Sequence, residues 1–123
     1  MADPGGALDA NAIERLREAA DGDEAFLAEI VEEFLTEAPD QLATIERAVG
    51  GGAREEALRA AHTLKSTSAT FGATALAELA RQMETQAREG RLGEIPVLAG
   101  QARTELGQVS AVLRELELGG GDG

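Results

Sequence analysis

Cysteine, tryptophan and tyrosine are absent from the chain, proline occurs three times, phenylalanine three times and histidine once. Without cysteine there are no disulfides and no thiolate metal sites, which fits a reducing compartment. With so few aromatics, a core must be assembled from Ala, Leu, Ile and Val, and small or unbranched residues favour closely packed helices. Positive charge is also scarce: 11 basic against 23 acidic residues give a formal charge of −12, which argues against binding a nucleic-acid backbone. No apolar run reaches the roughly 18 residues that span a bilayer, and no signal-peptide core follows Met1, so a cytoplasmic domain without a membrane segment is expected. No strand-like alternation and no internal repeat is present. The 123 residues suffice for one domain with one core.

What is present is helical periodicity. Met1 to Leu8, with Pro4, Gly5 and Gly6, reads as a flexible lead-in. Asp9 then offers an N-cap to a short helix ending near Ala20, and Asp21-Gly22-Asp23 stops it and starts the next. In the second helix Phe26, Leu27, Ile30, Val31, Phe34, Leu35, Leu42, Ile45 and Val49 recur at spacings of three and four. Pro39 removes one amide donor and is expected to kink this helix rather than end it. Gly50-Gly51-Gly52 breaks the chain. A third helix is expected from about Ala53 to Phe71, with Gly72 as bend or cap, and a fourth from Thr74 to Glu89, closed by Gly90. The fifth, about Ile95 to Leu116, places Ile95, Leu98, Ala102, Leu106, Val109, Leu113 and Leu116 in near-heptad order, and Pro96 is tolerated in its first turn. Gly119 to Gly123 reads as a flexible tail. Short connections make neighbouring helices antiparallel, so the predicted fold is all-α: a four-helix bundle over residues 9–118 with an N-terminal accessory helix.

Several chemistries can be set aside. Asp21-Gly22-Asp23 begins like a calcium loop, but Ala25 and Phe26 stand where an oxygen ligand and the turn glycine are needed. The triple glycine lacks a following Gly-Lys-Ser/Thr, so it is no phosphate cradle. One histidine without cysteine makes no zinc site, and no metal or cofactor site is expected. Glu32, Glu33 and Glu37 lie off the apolar stripe, as on a solvated helix face.

The lone histidine, His62, is the informative residue. At about 100° per residue, Ala57, Ala61, Leu64, Ser68 and Phe71 share one stripe, and His62 lies about 140° from its centre. Lys65 follows one turn later on the flank of the stripe, and Arg59 precedes by one turn. Ser66 and Ala69, small residues on the same face, leave the ring reachable by another protein. An exposed imidazole with two cations within a turn suits a nucleophile that receives an anion such as a phosphoryl group.

The segment His62-Thr63-Leu64-Lys65-Ser66-Thr67-Ser68-Ala69-Thr70-Phe71-Gly72-Ala73 resembles the signature of histidine-containing phosphotransfer (HPt) domains. In these a histidine, an apolar residue two on, a lysine three on and a glycine ten on recur along one helix. Phe34-Leu35 with Ala38-Pro39 and Leu42 is similar to the family's second helix, and Leu79 with Met83-Glu84 and Ala87-Arg88-Glu89-Gly90 to its fourth. The resemblance implies a phosphorelay intermediate, a carrier without autokinase activity. His62 would be the phosphoacceptor, most often through Nε2, and Lys65 would stabilise the phosphoryl group. Implied partners are response-regulator receiver domains, which bring Mg²⁺, and hybrid or chemotaxis-type histidine kinases, with the chain a monomer. Ser66 departs from the family's usual glycine; its hydroxymethyl either hinders a receiver loop or donates to the phosphate. In some relatives a polar residue of the fourth helix supports the histidine. Gln82, Glu84 and Gln86 compete for that part, and Gln82 and Gln86 are carried as supporting residues together with Ser66 and Arg59. Two other readings remain: a non-phosphorylated helical module that sequesters a partner, and an excised substrate domain of a chemotaxis-type kinase.

Overall fold

A computed structural model describes residues 8–122 of the chain. Five helices follow in order: α1 (Ala10–Ala20), α2 (Glu24–Gly50), α3 (Arg54–Thr70), α4 (Thr74–Arg88) and α5 (Ile95–Asp122), the last entered through a 3₁₀ turn, Leu92–Glu94. Among the described residues there is no strand, so the all-α expectation holds. The Asp9 carboxylate accepts from the Asn11 amide at 3.0 Å, and that of Asp23 from the Phe26 amide at 3.1 Å, each satisfying a donor that a helix start leaves free. Pro39 lies inside α2, which runs through it without a break.

Helices α2 to α5 close a ring in which α2 packs on α3 and α5, and α4 packs on the same two. The ring is filled by Val31, Phe34, Ala38, Leu42 and Ile45 of α2, Ala57, Ala61 and Leu64 of α3, Leu76, Ala80, Met83 and Ala87 of α4, and Ile95, Ala102, Val109 and Leu113 of α5. The Phe34 and Phe71 rings meet with centroids 4.8 Å apart, tilted by 38°, an arrangement favoured by ring quadrupoles. Arg103 Nε donates to Glu46 Oε2 at 3.1 Å, tying α5 to α2 on the outside.

The helices differ in length. With 27 and 28 residues, α2 and α5 are far longer than α3 and α4, with 17 and 15. At 1.5 Å per residue α2 outruns α3 by about 15 Å. The tight Gly51–Ala53 connection aligns the C-terminal end of α2 with the start of α3, so the excess lies at the N-terminal end of α2. There α1, 11 residues long, occupies the step, burying Ala12, Leu16 and Ala20. It is fastened by the Asp9 amide, which donates to the Gly72 carbonyl at 2.7 Å. Gly72 has φ +72°, and a Cβ on it would stand 2.2 Å from the Ala12 Cβ, so glycine is required there twice over.

Three expectations are corrected. Residues 1–7 lie outside the described residues, but Leu8, read as lead-in, packs against the core. Helix α5 continues to Asp122 instead of ending near Leu116, because Gly119 to Gly121 lower helix propensity without blocking the i→i−4 hydrogen bond as proline would; Gly123 lies outside the described residues. Phe26, read as part of the inward stripe of α2, is 44% exposed, since it stands in the first turn, beyond the ring. Among the described residues no helix is long and apolar enough to cross a membrane.

Candidate functional site

The α3 stripe is buried as its spacing predicts: Ala57, Ala61, Leu64 and Ser68 are closed to solvent and Phe71 nearly so. The same phase turns His62 outward, with its side chain 59% exposed. On α4 the inward positions Leu76, Ala80, Met83 and Ala87 are accompanied by one charged residue, Glu84, buried at the edge that faces α3. Its carboxylate is the centre of the site.

Glu84 Oε2 accepts from His62 Nδ1 at 2.8 Å and from Arg88 Nη2 at 3.0 Å, while Oε1 takes the Lys65 ammonium at 2.8 Å. A carboxylate that accepts at Nδ1 holds the proton there, so the neutral ring carries its lone pair on Nε2. No hydrogen bond to Nε2 forms among the described residues. Burial pushes the Glu84 carboxyl up, but the hydrogen bonds and charges of Lys65 and His62 outweigh it and hold the group below its ordinary range. The site therefore contains an ionised, nearly enclosed carboxylate that orients an exposed imidazole.

The other expected residues fall differently. Lys65, half-buried on the flank of α3, is paired with Glu84 and is not free. Gln82 and Gln86 do not support His62. Glu78, Gln82 and Gln86 are spaced by four and form one column on α4, and within it Gln82 Nε2 donates to Glu78 Oε2 at 3.2 Å. Ala80, Glu84 and Arg88 form the neighbouring column, which faces α3, and this phase selects the carboxylate over the amides. Gln86 Oε1 is buried without a partner among the described residues. Arg59 lines a polar groove between α2 and α3 with Gln41, Thr44, Glu56, Ala60 and Thr63, and is not among the cations on Glu84. Ser66 is exposed one turn after His62, and its carbonyl accepts from Thr70 Oγ1 at 3.0 Å. Arg88 was missed as a site residue, although a glutamate four residues before an arginine on one helix is a legible pairing signal. Among the described residues no cluster of His, Asp and Glu could hold a metal ion.

The family model described as Hpt domain matches residues 29–116. The chain belongs to the Hpt domain family. Hpt domains are phosphocarriers of two-component phosphorelays, working with receiver domains and histidine kinases, and histidine phosphotransfer is the general function that membership gives this chain. The crystal structure of histidine-containing phosphotransfer protein B (HptB) from Pseudomonas aeruginosa PAO1 is similar over 95% of this chain and 97% of that one, with TM-score 0.86 and 25% sequence identity. That coverage leaves too few residues unmatched to omit α1, which the family match does not include. No curated protein matches the chain.

Proposed function

We propose that this Hpt domain accepts a phosphoryl group on His62 Nε2 from the aspartyl phosphate of one receiver domain and passes it to the aspartate of another. The observation that carries the reading is the Glu84 contact, which commits Nδ1 to the protein and leaves the nucleophilic nitrogen on an exposed ring. In the forward step the Nε2 lone pair forms a bond to phosphorus as the bond from phosphorus to the aspartyl oxygen breaks. The aspartate leaves as a carboxylate, and the Nδ1 proton stays on the ring, where Glu84 faces the positive charge that develops. The reverse step loads the second receiver.

Such transfer depends on positioning and charge neutralisation. Glu84 supplies the first by fixing the ring. Lys65, one turn from His62, supplies the second by turning its ammonium from Glu84 to the phosphoryl oxygens. Mg²⁺ comes with the receiver, and the chain acts as a monomeric cytoplasmic carrier without autokinase activity. Ser66 stands on the same exposed face and tunes the approach of the receiver loop.

The test is incubation with a phosphorylated receiver. Label should pass to the chain, be acid-labile and alkali-stable, and be absent from His62→Gln. Label that persists in that variant would refute His62 as the acceptor.

A further inference from the structure

Three cationic or proton-donating groups converge on the one carboxylate, yet the phosphotransfer reading uses only two of them. Arg88 is the third. It is the last residue of α4, its side chain is 58% exposed, and it reaches Glu84 from four residues away, on the oxygen that also takes His62. Its own carbonyl accepts from Arg54 Nη1 at 3.4 Å, which links the end of α4 to the start of α3.

The division of the two oxygens matters. Lys65 alone holds Oε1, whereas His62 and Arg88 share Oε2. Glu84 is only 6% exposed at its side chain, so water cannot replace a departing partner cheaply. If Lys65 and the imidazole were its only partners, moving Lys65 to a phosphoryl group would leave an almost enclosed negative charge with a single hydrogen bond, and the ammonium would be held back. With Arg88 in place, Oε2 keeps a full positive charge beside it throughout.

We infer that Arg88 is a positioning residue, the standing counter-charge that lets Lys65 leave Glu84 for the phosphoryl group while the carboxylate keeps its grip on Nδ1. The inference rests on the phosphotransfer reading for its purpose, but its physical content, load sharing on Glu84, can be measured without any transfer. Arg88 bonds to Glu84 and, among the described residues, makes no hydrogen bond to the ring. Its influence passes through Glu84 and Lys65.

The test has two parts, on the full chain. In the unlabelled protein, Lys65→Ala should lower the folding equilibrium constant about threefold more in an Arg88→Gln background than in wild type, because Glu84 then has no other cation. Equal losses in the two backgrounds overturn the load-sharing role. In protein labelled on histidine with phosphoramidate, Arg88→Gln should shorten the phosphohistidine half-life about fivefold, to that of Lys65→Ala, with the double variant no shorter. Arg88→Lys should restore it, and ring nitrogen shifts in unlabelled Arg88→Gln should still report the Nδ1–H tautomer. An unchanged half-life, losses that multiply in the double variant, a loss of the tautomer or a failure of lysine to rescue would each overturn the inference. Absence of label on His62 in wild type would instead count against the phosphotransfer reading, while the stability comparison still decides the role of Arg88.

Discussion

Gly72→Ala tests the reasoning about the fold most sharply, because two independent costs fall on one methyl group. The first is backbone strain: φ is +72°, and an L-residue in the left-handed region costs about 1–2 kcal/mol. The second is contact. The added Cβ would stand 2.2 Å from the Ala12 Cβ and 3.1 Å from that of Asp9. Neither neighbour can rotate away, since a Cβ moves only with its backbone, so α1 must shift. Overpacking of that kind costs about 1–3 kcal/mol. The protein has one escape, which is to undock α1 and surrender the burial of Ala12, Leu16 and Ala20, a loss of about 3–4 kcal/mol. Undocking leaves the strain at position 72 in place, so the docked route is the cheaper one, and we expect a loss of about 2–5 kcal/mol in urea unfolding followed by circular dichroism. A cycle with Ala12→Gly separates the costs. Removing the Ala12 methyl abolishes the 2.2 Å contact and leaves the strain, at a helix-propensity cost of about 1 kcal/mol. The double variant should therefore be more stable than the sum of the singles predicts, by about 1–3 kcal/mol. Additive singles, or a Gly72→Ala protein within about 0.5 kcal/mol of wild type, would refute the account of how α1 is fastened.

Two further outcomes follow from the site and its support. Leu64→Ala should cost about 2–5 kcal/mol in the same assay, as a cavity in the bundle core on the inward face of α3; full stability would mean the phase assigned to α3 is wrong. Glu84→Gln should flatten the acid limb of the stability profile. Because the folded carboxyl titrates below its ordinary value of 4.5, its contribution is complete above that pH and is lost as pH falls through the lower folded value. The wild-type advantage over the glutamine variant should thus shrink on acidification below 4.5 in urea titrations at stepped pH, and a constant difference would contradict the ionised, paired state.

Much of this could be read from the chain itself, and where reading stopped the reason is physical. The α3 phase was legible because five residues of one stripe are all apolar or small, and that phase places His62 outside without reference to any other helix. The support for His62 was not legible to the same degree. Three polar residues lie within little more than one turn of α4, and choosing among them requires the rotation of α4 against α3. The column Ala80, Glu84, Arg88 provides it, since Ala80 is buried and its neighbours four and eight residues on must share its side. Phe26 shows the opposite failure. Its spacing matches the α2 stripe, but the first turn of that helix runs past the ring, and periodicity carries no information about where a partner helix ends. Gly72 stands in between: its place in the motif is plain, while its steric reason, Ala12, is sixty residues away in sequence.

The step filled by α1 divides the molecule into parts of unequal tenacity. The closed ring shares its apolar interior among four helices, whereas the first helix is held, among the described residues, by the buried Ala12, Leu16 and Ala20 and by the Asp9 main-chain bond at its entrance. Opening free energies should follow that division. Amides of Asn11 to Ala20 would exchange with solvent well before those around Leu64 and Met83, so the accessory element can come away and return while the imidazole and its carboxylate hold their places.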